Sequence, residues 1–371
     1  MNVLHVHSGN IFGGVERMLE TLAPATAGDI PIRSSFALCF EGRVGDTLRA
    51  AGADVHHLGP VHARRIHEIW RARRALLSVL NAERWTAAVV HSAWSQAIFG
   101  PTILKSKTPL VRWLHAPRPG PHWLEYWSRR SCPSLVLCNS YYTREAARLR
   151  LGDIPAAVQY PPAVAFSKNE QARSRLRREL GTGSDEVVII IAARMEAWKG
   201  HDLLLKSLST LPPGGWEVWV AGGPQRPSEC KYFAALADQV RTAGMVQHVR
   251  FLGQRSDVGD LLQAADIYCQ PNRDSEPFGL SFVEALAAGL PVVTTRLGAA
   301  PEIIDGSCGV LVEPGSVEAL THALGTLIES DSERQKMSAA ASVRAREFCN
   351  LPQSLKGLSA QLARASSYSL H

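Results

Sequence analysis

Along the first 165 residues, short apolar runs alternate with longer stretches whose apolar positions recur every three or four residues. The runs "VLHVHSG" (3–9), "SSFALCF" (34–40), "AAVVHS" (87–92), "PLVRWLHA" (109–116) and "SLVLCNS" (134–140) predict buried strands. "GVERMLETLAPA" (14–25) and "TREAARLRL" (143–151) predict helices between them. Strand and helix in alternation imply parallel strands joined by right-handed crossovers, hence an open, doubly wound α/β sheet.

This rhythm breaks in "VQYPPAVAFSKNEQARSRLRRELGTGSDE" (158–186), where two prolines, a polar run and then glycines mark a boundary. It resumes with the strands "VVIIIAAR" (187–194), "WEVWVAGG" (216–223), "VRFLG" (249–253), "ADIYCQPN" (265–272) and "PVVTT" (291–295). "DLLLKSLSTL", "EALAAG" and "VEALTHALGTLIES" are the helical connections. Two α/β domains are therefore expected, over residues 1–165 and 166–350, with a last helix in 351–371 returning to the first. At 371 residues the chain can bury two separate cores. Ligands of such sheets sit at the carboxyl ends of the strands, so a cleft between the domains is the expected site.

Composition narrows the class. With 46% apolar and 20% charged residues the chain is globular rather than disordered. No apolar run approaches the ~18 residues of a membrane span, and "MNVLHVHSGN" has no cationic region before a long hydrophobic stretch. The seven cysteines are scattered without a C-x-x-C pair, which argues against a disulfide framework or a zinc site; a cytoplasmic location is expected. The net charge of +6 is uneven: residues 1–165 hold 19 Lys+Arg against 11 Asp+Glu, and residues 166–371 hold 21 against 23. A basic first half suits a polyanion, an anionic membrane surface or a phosphorylated acceptor, or is simply a soluble surface. No recognised nucleic-acid-binding motif accompanies it.

Within that half, "RRIHEIWRARRALLSVLNAERW" (64–85) sets Ile66, Ile69, Trp70, Arg73, Leu76, Leu77 and Leu80 near one face, with Arg64, Arg65, Arg71 and Arg74 around it. Such a helix either lies on an anionic membrane or packs its stripe on the sheet, the second being favoured. "GPHWLEYWSRR" (120–130) adds Trp123, Trp127, Arg129 and Arg130 as an interfacial anchor, a sugar-stacking platform or core.

Candidate chemistry begins at Gly13 and Gly14, between the first strand and the first helix, where backbone amides can approach an anion. The pair fits neither G-x-G-x-x-G nor G-x-x-x-x-G-K-[ST], which removes the main support for a dinucleotide-dependent oxidoreductase or a P-loop NTPase. In "AARMEAWKGHDLLL", Arg194 closes a predicted strand and Lys199 stands at the mouth of the next helix; together they could neutralise a diphosphate. In "SEPFGLSFVEALAAG", Pro277 and Gly279 separate Glu276 from a helix starting at Leu280 and carrying Glu284. Two acceptor carboxylates flanking an anion-facing helix start match a ligand with hydroxyls at both ends and phosphates between, which describes a nucleotide sugar. His115 ends the fourth predicted strand, where an imidazole can bond a sugar hydroxyl. His5 and His7 read as packing or cleft-lining residues.

With "GGVE", "VRWLHAP", "RMEAWKG" and "EPFGLSFVE" in order, the chain resembles the retaining glycosyltransferases of family 4 (glycosyl transferases group 1) over essentially its whole length. The resemblance implies the GT-B architecture: α/β, with two Rossmann-like doubly wound domains facing across a cleft. It implies that Arg194 and Lys199 bind the donor's phosphates, that Glu276 lies near the donor sugar and Glu284 near the ribose, and that the backbone of Phe278, Gly279 and Leu280 contacts sugar or phosphate. Gly13 and Gly14 would border the diphosphate or the acceptor, and His115 would stand beside the sugar. His115 and Glu276 are the catalytic candidates, although Glu276 either joins the chemistry or only holds the sugar. The expected reaction moves a sugar from a nucleotide-sugar donor, a UDP-sugar ahead of a GDP-sugar, to a hydroxyl of a glycan, glycolipid or lipid-linked acceptor, with retention and without an enzyme nucleophile. Neither cofactor nor metal is expected, since Arg194, Lys199 and helix amides supply positive charge and "SDVGD" (256–260) lacks D-x-D spacing. The alternatives are an epimerase or inverting transferase on the same fold, or a non-catalytic sugar-binding partner subunit.

Overall fold

A computed structural model describes residues 1–10, 13–24, 32–116, 122–163 and 169–368. The predicted boundary at 165/166, Pro117 of "VRWLHAP" and the last residue of the predicted helix 14–25 lie outside the described residues. The chain forms two compact units, one from Met1–Pro162 with Asn350–His371 and one from Ala163–Cys349.

Each unit is built on one all-parallel sheet. In the first, β1 (Asn2–His7), β2 (Arg33–Leu38), β3 (Asp54–His57), β4 (Ala87–Val90), β5 (Leu110–Leu114), β6 (Leu135–Cys138) and β7 (Ala156–Val158) take the order β3-β2-β1-β4-β5-β6-β7. In the second, β8 (Val187–Ala192), β9 (Trp216–Ala221), β10 (Val249–Gly253), β11 (Ile267–Gln270), β12 (Val292–Thr295) and β13 (Gly309–Val312) take the order β10-β9-β8-β11-β12-β13. Both are doubly wound, with the strand order reversing between β1 and β4 and between β8 and β11. Loops diverge at such a switch point and leave a crevice beyond the strand ends.

Three strands, β3, β7 and β13, were not expected from the sequence, so His115 follows the fifth strand rather than the fourth. All three are sheet edges. "DVHH" and "AAV" are nowhere fully buried, and an edge strand needs no continuous apolar run.

The period of two along β1 divides the first core. Leu4 and Val6 join one cluster with Ala72, Leu76 and Leu80 of the Ile66–Ala82 helix and Ile98, Phe99 and Ile103 of the Ala93–Lys105 helix. Val3 faces the other way, into a cluster with Met18, Leu19 and Leu22 of the Gly14–Leu22 helix and with Leu355, Leu358, Leu362 and Ala365 of the Leu351–Tyr368 helix. The expected stripe on the 66–82 helix is corrected in part. Its sheet-facing row is Glu68, Ala72, Leu76 and Leu80, four residues apart, whereas Ile66 and Trp70 are 80% and 64% exposed.

Candidate functional site

At the switch point of the second unit, β8 ends at Ala192, so Arg194 lies beyond the strand instead of closing it. Its guanidinium pairs with Glu196 at 2.8 Å, and the same carboxylate oxygen accepts the Trp198 indole N–H at 3.1 Å. One 3₁₀ turn, Ala197–Lys199, then lifts Lys199 over the Trp198 ring, 3.9 Å from its centre. Gly200 follows with φ 78°, and a Cβ there would collide with the Pro271 carbonyl, so the loops after β8 and β11 are in contact.

That contact delivers Lys199 to Glu276, with Nζ 2.7 Å from Oε2. The same oxygen accepts the side-chain amides of Gln270 at 3.3 Å and Asn272 at 3.2 Å. Gln270 also accepts, through Oε1, from the hydroxyls of Tyr268 at 2.9 Å and Ser281 at 3.3 Å, which ties the carboxylate to the first turn of the Leu280–Ala287 helix. Thr294 and Thr295 on β12 donate to the carbonyls of Gln270 and Asn272. On the other side, the Ala299 N–H bonds the Glu276 carbonyl at 2.8 Å, and a Cβ on Gly298 would strike the Glu276 backbone. Every group that positions Glu276 is thus itself held. Sequence reasoning missed Gln270 and Asn272, although two amides closing the apolar strand "IYCQPN" are a signal, because buried amides need partners.

Pro277 and Gly279 do end the loop as expected. Gly279 has φ 98°, and a Cβ on it would meet the Phe282 ring. Phe278 is 3% exposed and packs edge-on against Phe348, so only its backbone can face a ligand. Glu284 lies one turn into the helix, half-buried; after burial, its charge and that of Glu276 keep the Tyr268 hydroxyl protonated. Arg194 and Lys199, expected to neutralise a diphosphate, stand here beside acidic partners. Each is matched by a carboxylate.

The first unit presents a different group at its own switch point. His5 and His7 alternate with Leu4 and Val6 on β1, while His91 and His115 stand one residue past β4 and β5, all on the face covered by the Gly14–Leu22 and Leu351–Tyr368 helices. His5 Nδ1 lies 3.0 Å from His91 Nε2, and His91 Nδ1 lies 3.0 Å from His115 Nε2. The rings stack between Phe36 at one end and Trp113 beside the other. Burial drives all of them toward the neutral form: His5 to about 3, His7 to about 4, His115 to about 3, with His91 also well below its usual value. For His115, any charge on His7 and that on Arg112 add to burial in disfavouring a proton. His7 accepts the Gly9 N–H on Nδ1 at 3.1 Å and faces Glu16 with Nε2 at 3.3 Å; being neutral, it donates a hydrogen bond there. His91 had no place in the sequence reading.

Gly13 and Gly14 start the helix that supplies Glu16. Gly13 is fully extended (φ −167°), a conformation open to any residue, and a Cβ on Gly14 would meet nothing within 4 Å. Neither the backbone angle of Gly13 nor, among the described residues, the space around Gly14 requires a glycine.

Residues 172–344 match the model of the glycosyl transferases group 1 family. The match lies within the second unit, which is thus similar to this family. A D-inositol 3-phosphate glycosyltransferase of Corynebacterium glutamicum is 34% identical over 188 residues, which are 48% of this chain and 44% of that protein. A GDP-mannose-dependent alpha-(1-6)-phosphatidylinositol monomannoside mannosyltransferase of Mycolicibacterium smegmatis is 32% identical over 54% of each chain. The chain thus spans about half the length of these curated relatives. Crystalline Anabaena HepE in complex with UDP and glucose superposes with a TM-score of 0.87 at 22% identity, over 98% of this chain and 99% of that one. Sucrose-phosphate synthase of Thermosynechococcus elongatus reaches 0.80 at 15% identity over 97% of each. The chain therefore has the GT-B fold, as expected from its sequence.

Proposed function

We propose that this protein is a retaining glycosyltransferase that takes its sugar from a nucleoside-diphosphate sugar. The observation that carries the reading is the Lys199–Glu276 pair at the switch point of the unit matched by the family model. A donor's diphosphate can take over Lys199 and, with Arg194, replace the carboxylates that neutralise both cations. Glu276 is then released to accept from sugar hydroxyls while Gln270 and Asn272 keep it in place. Amides of the Leu280–Ala287 helix start support the leaving diphosphate, and Glu284 serves the ribose. Gly13 and Gly14 border the diphosphate or the acceptor. His115 donates to the sugar beside the reacting carbon. With that positive charge supplied by the chain, no metal is needed, and the acceptor attacks from the face the diphosphate leaves.

A UDP-sugar is the favoured donor. It is the class present with HepE, whereas the M. smegmatis relative is named for GDP-mannose. Following nucleoside diphosphate release across a panel of UDP- and GDP-sugars, with and without EDTA, tests donor class and metal independence together. The product anomer by NMR tests retention. No release from any donor would overturn the reading, and an inverted anomer would replace it by the inverting alternative.

A lipid-linked or glycolipid acceptor is favoured by one surface of the first unit. The helices Ile66–Ala82, Ala93–Lys105 and His122–Ser128 pack in sequence, and the outer two expose Ile66 and Trp70, and Trp123, Tyr126 and Trp127. Arg74 lies over Trp70 and Arg130 over Trp127. Apolar rings interleaved with arginines match an anionic headgroup layer. No helix among the described residues is long and apolar enough to cross a membrane.

A further inference from the structure

The row His5–His91–His115 is more than a packing arrangement. A neutral imidazole has one N–H and one lone pair, and His91 spends both of its nitrogens on its neighbours. Both 3.0 Å links exist only if the protons run in one direction along the row. In one arrangement every ring is protonated on Nδ1, and His5 donates to His91, which donates to His115. In the other every ring is protonated on Nε2, and the sequence of donation is reversed.

The far end decides between them. His5 is fully buried, and its Nε2 has no hydrogen-bond partner among the described residues. The reversed arrangement would leave an N–H orphaned there, against the stacked Phe36 ring. The forward arrangement leaves only a bare lone pair, which is the less costly of the two because buried N–H groups without acceptors are rare in folded proteins. His7 does not upset the choice. It meets His91 edge-on, and its own tautomer is set separately by the Gly9 N–H.

We propose that His5 and His91 are positioning residues that lock His115 as its Nδ1–H tautomer, so that it meets the ligand as a hydrogen-bond donor and not as a base. His115 is half-buried, and its Nδ1 makes no hydrogen bond among the described residues. A donor there suits an oxygen of the transferred sugar or of the leaving group, and cannot take a proton from the acceptor hydroxyl. The tautomer follows from the fold alone; its use on a sugar rests on the proposed transferase reading.

The test separates the two. Full-length protein labelled with ¹⁵N-histidine, without substrate at pH 7, gives the tautomer of each ring from long-range ¹H–¹⁵N correlations, with His115→Gln assigning the His115 signals. The expected pattern is Nδ1–H with a bare Nε2 at His115; the opposite pattern, or a mixture, overturns the proposal whatever the activity. In His91→Gln, whose side-chain amide can either donate to or accept from His115 Nε2, the His115 signals should become a mixture and kcat should fall about tenfold or more, with KM for the donor changing little. An unchanged His115 tautomer in that variant overturns the positioning role. If wild-type protein shows the Nδ1–H pattern yet turns over no nucleotide sugar, the row stands and the transferase reading fails.

Discussion

Lys199 and Glu276 are each only about a tenth exposed, and each has the other, at 2.7 Å, as its ion-pair partner among the described residues. Lys199→Ala should abolish most donor turnover and also destabilise the second unit by about 2 kcal/mol, between the values for exposed and buried pairs. Denaturant titration should show Lys199→Ala and Glu276→Gln combined costing less than the sum of the two. Additive losses would mean the pair is not coupled. Glycines make a sharper contrast. Gly298→Ala forces a side chain into the Glu276 backbone at a positive φ of 64°, so both melting temperature and turnover should fall. Gly14→Ala fills open space at a helix start; its melting temperature should hold within a degree or two while KM for donor or acceptor rises. An unchanged KM would remove Gly14 from the site. The sequence made Gly14 and Gly298 look alike in kind, because a glycine's reason is spatial. Gly298 is required by a neighbour in the chain, whereas the proposed role of Gly14 is toward a ligand.

At the scale of elements, the central strands and the edge strand β10 were legible, whereas the edge strands β3, β7 and β13 were not. The apolar runs of β4 and β8 are buried along almost their whole length, whereas β3 and β7 have no fully buried residue. Residues at a turn or a helix start, such as Gly279 and Glu276, were singled out; Gln270 and Asn272, only six and four residues before Glu276, were not, and neither was His91, whose partners His5 and His115 lie 86 and 24 residues away in the chain. The histidine row gives its strands an acid sensitivity. His5, His7, His91 and His115 are neutral when folded, with values lowered to about 3 or 4 where a value is given, and take up protons near 6.5 when unfolded. The unfolded chain therefore binds more protons below that pH, and stability falls as pH drops from about 6.5 toward 4. Denaturation midpoints of the first unit should decline over this window, and His5→Phe should lessen the slope by about one proton. A flat profile between pH 7 and 5 would show that the row is not held neutral.

On the scale of the whole molecule, the excess positive charge lies in residues 1–165, and the exposed aromatic side chains of the 66–82 and 122–128 helices lie in that same stretch. Charge alone is an ordinary solubility device, and exposed rings alone are ordinary surface. Their combination makes a quantitative demand. Rings such as Trp70 and Trp127 contribute apolar area that salt does not weaken, whereas each arginine near an anionic surface contributes about 1 kcal/mol that screening removes beyond roughly 10 Å at 0.1 M salt. Full-length protein should therefore float with vesicles rich in anionic lipid at low salt, largely dissociate as salt is raised, and ignore neutral vesicles. Trp70→Ser with Trp127→Ser should lower binding to anionic vesicles at every salt concentration, while Arg74→Gln with Arg130→Gln should act mainly at low salt. Donor hydrolysis in solution should be unchanged in both double variants, because none of these side chains belongs to the proposed donor site. Failure to float at low salt would remove the membrane from the account and leave a soluble glycan as the acceptor, with the donor chemistry of the second unit untouched.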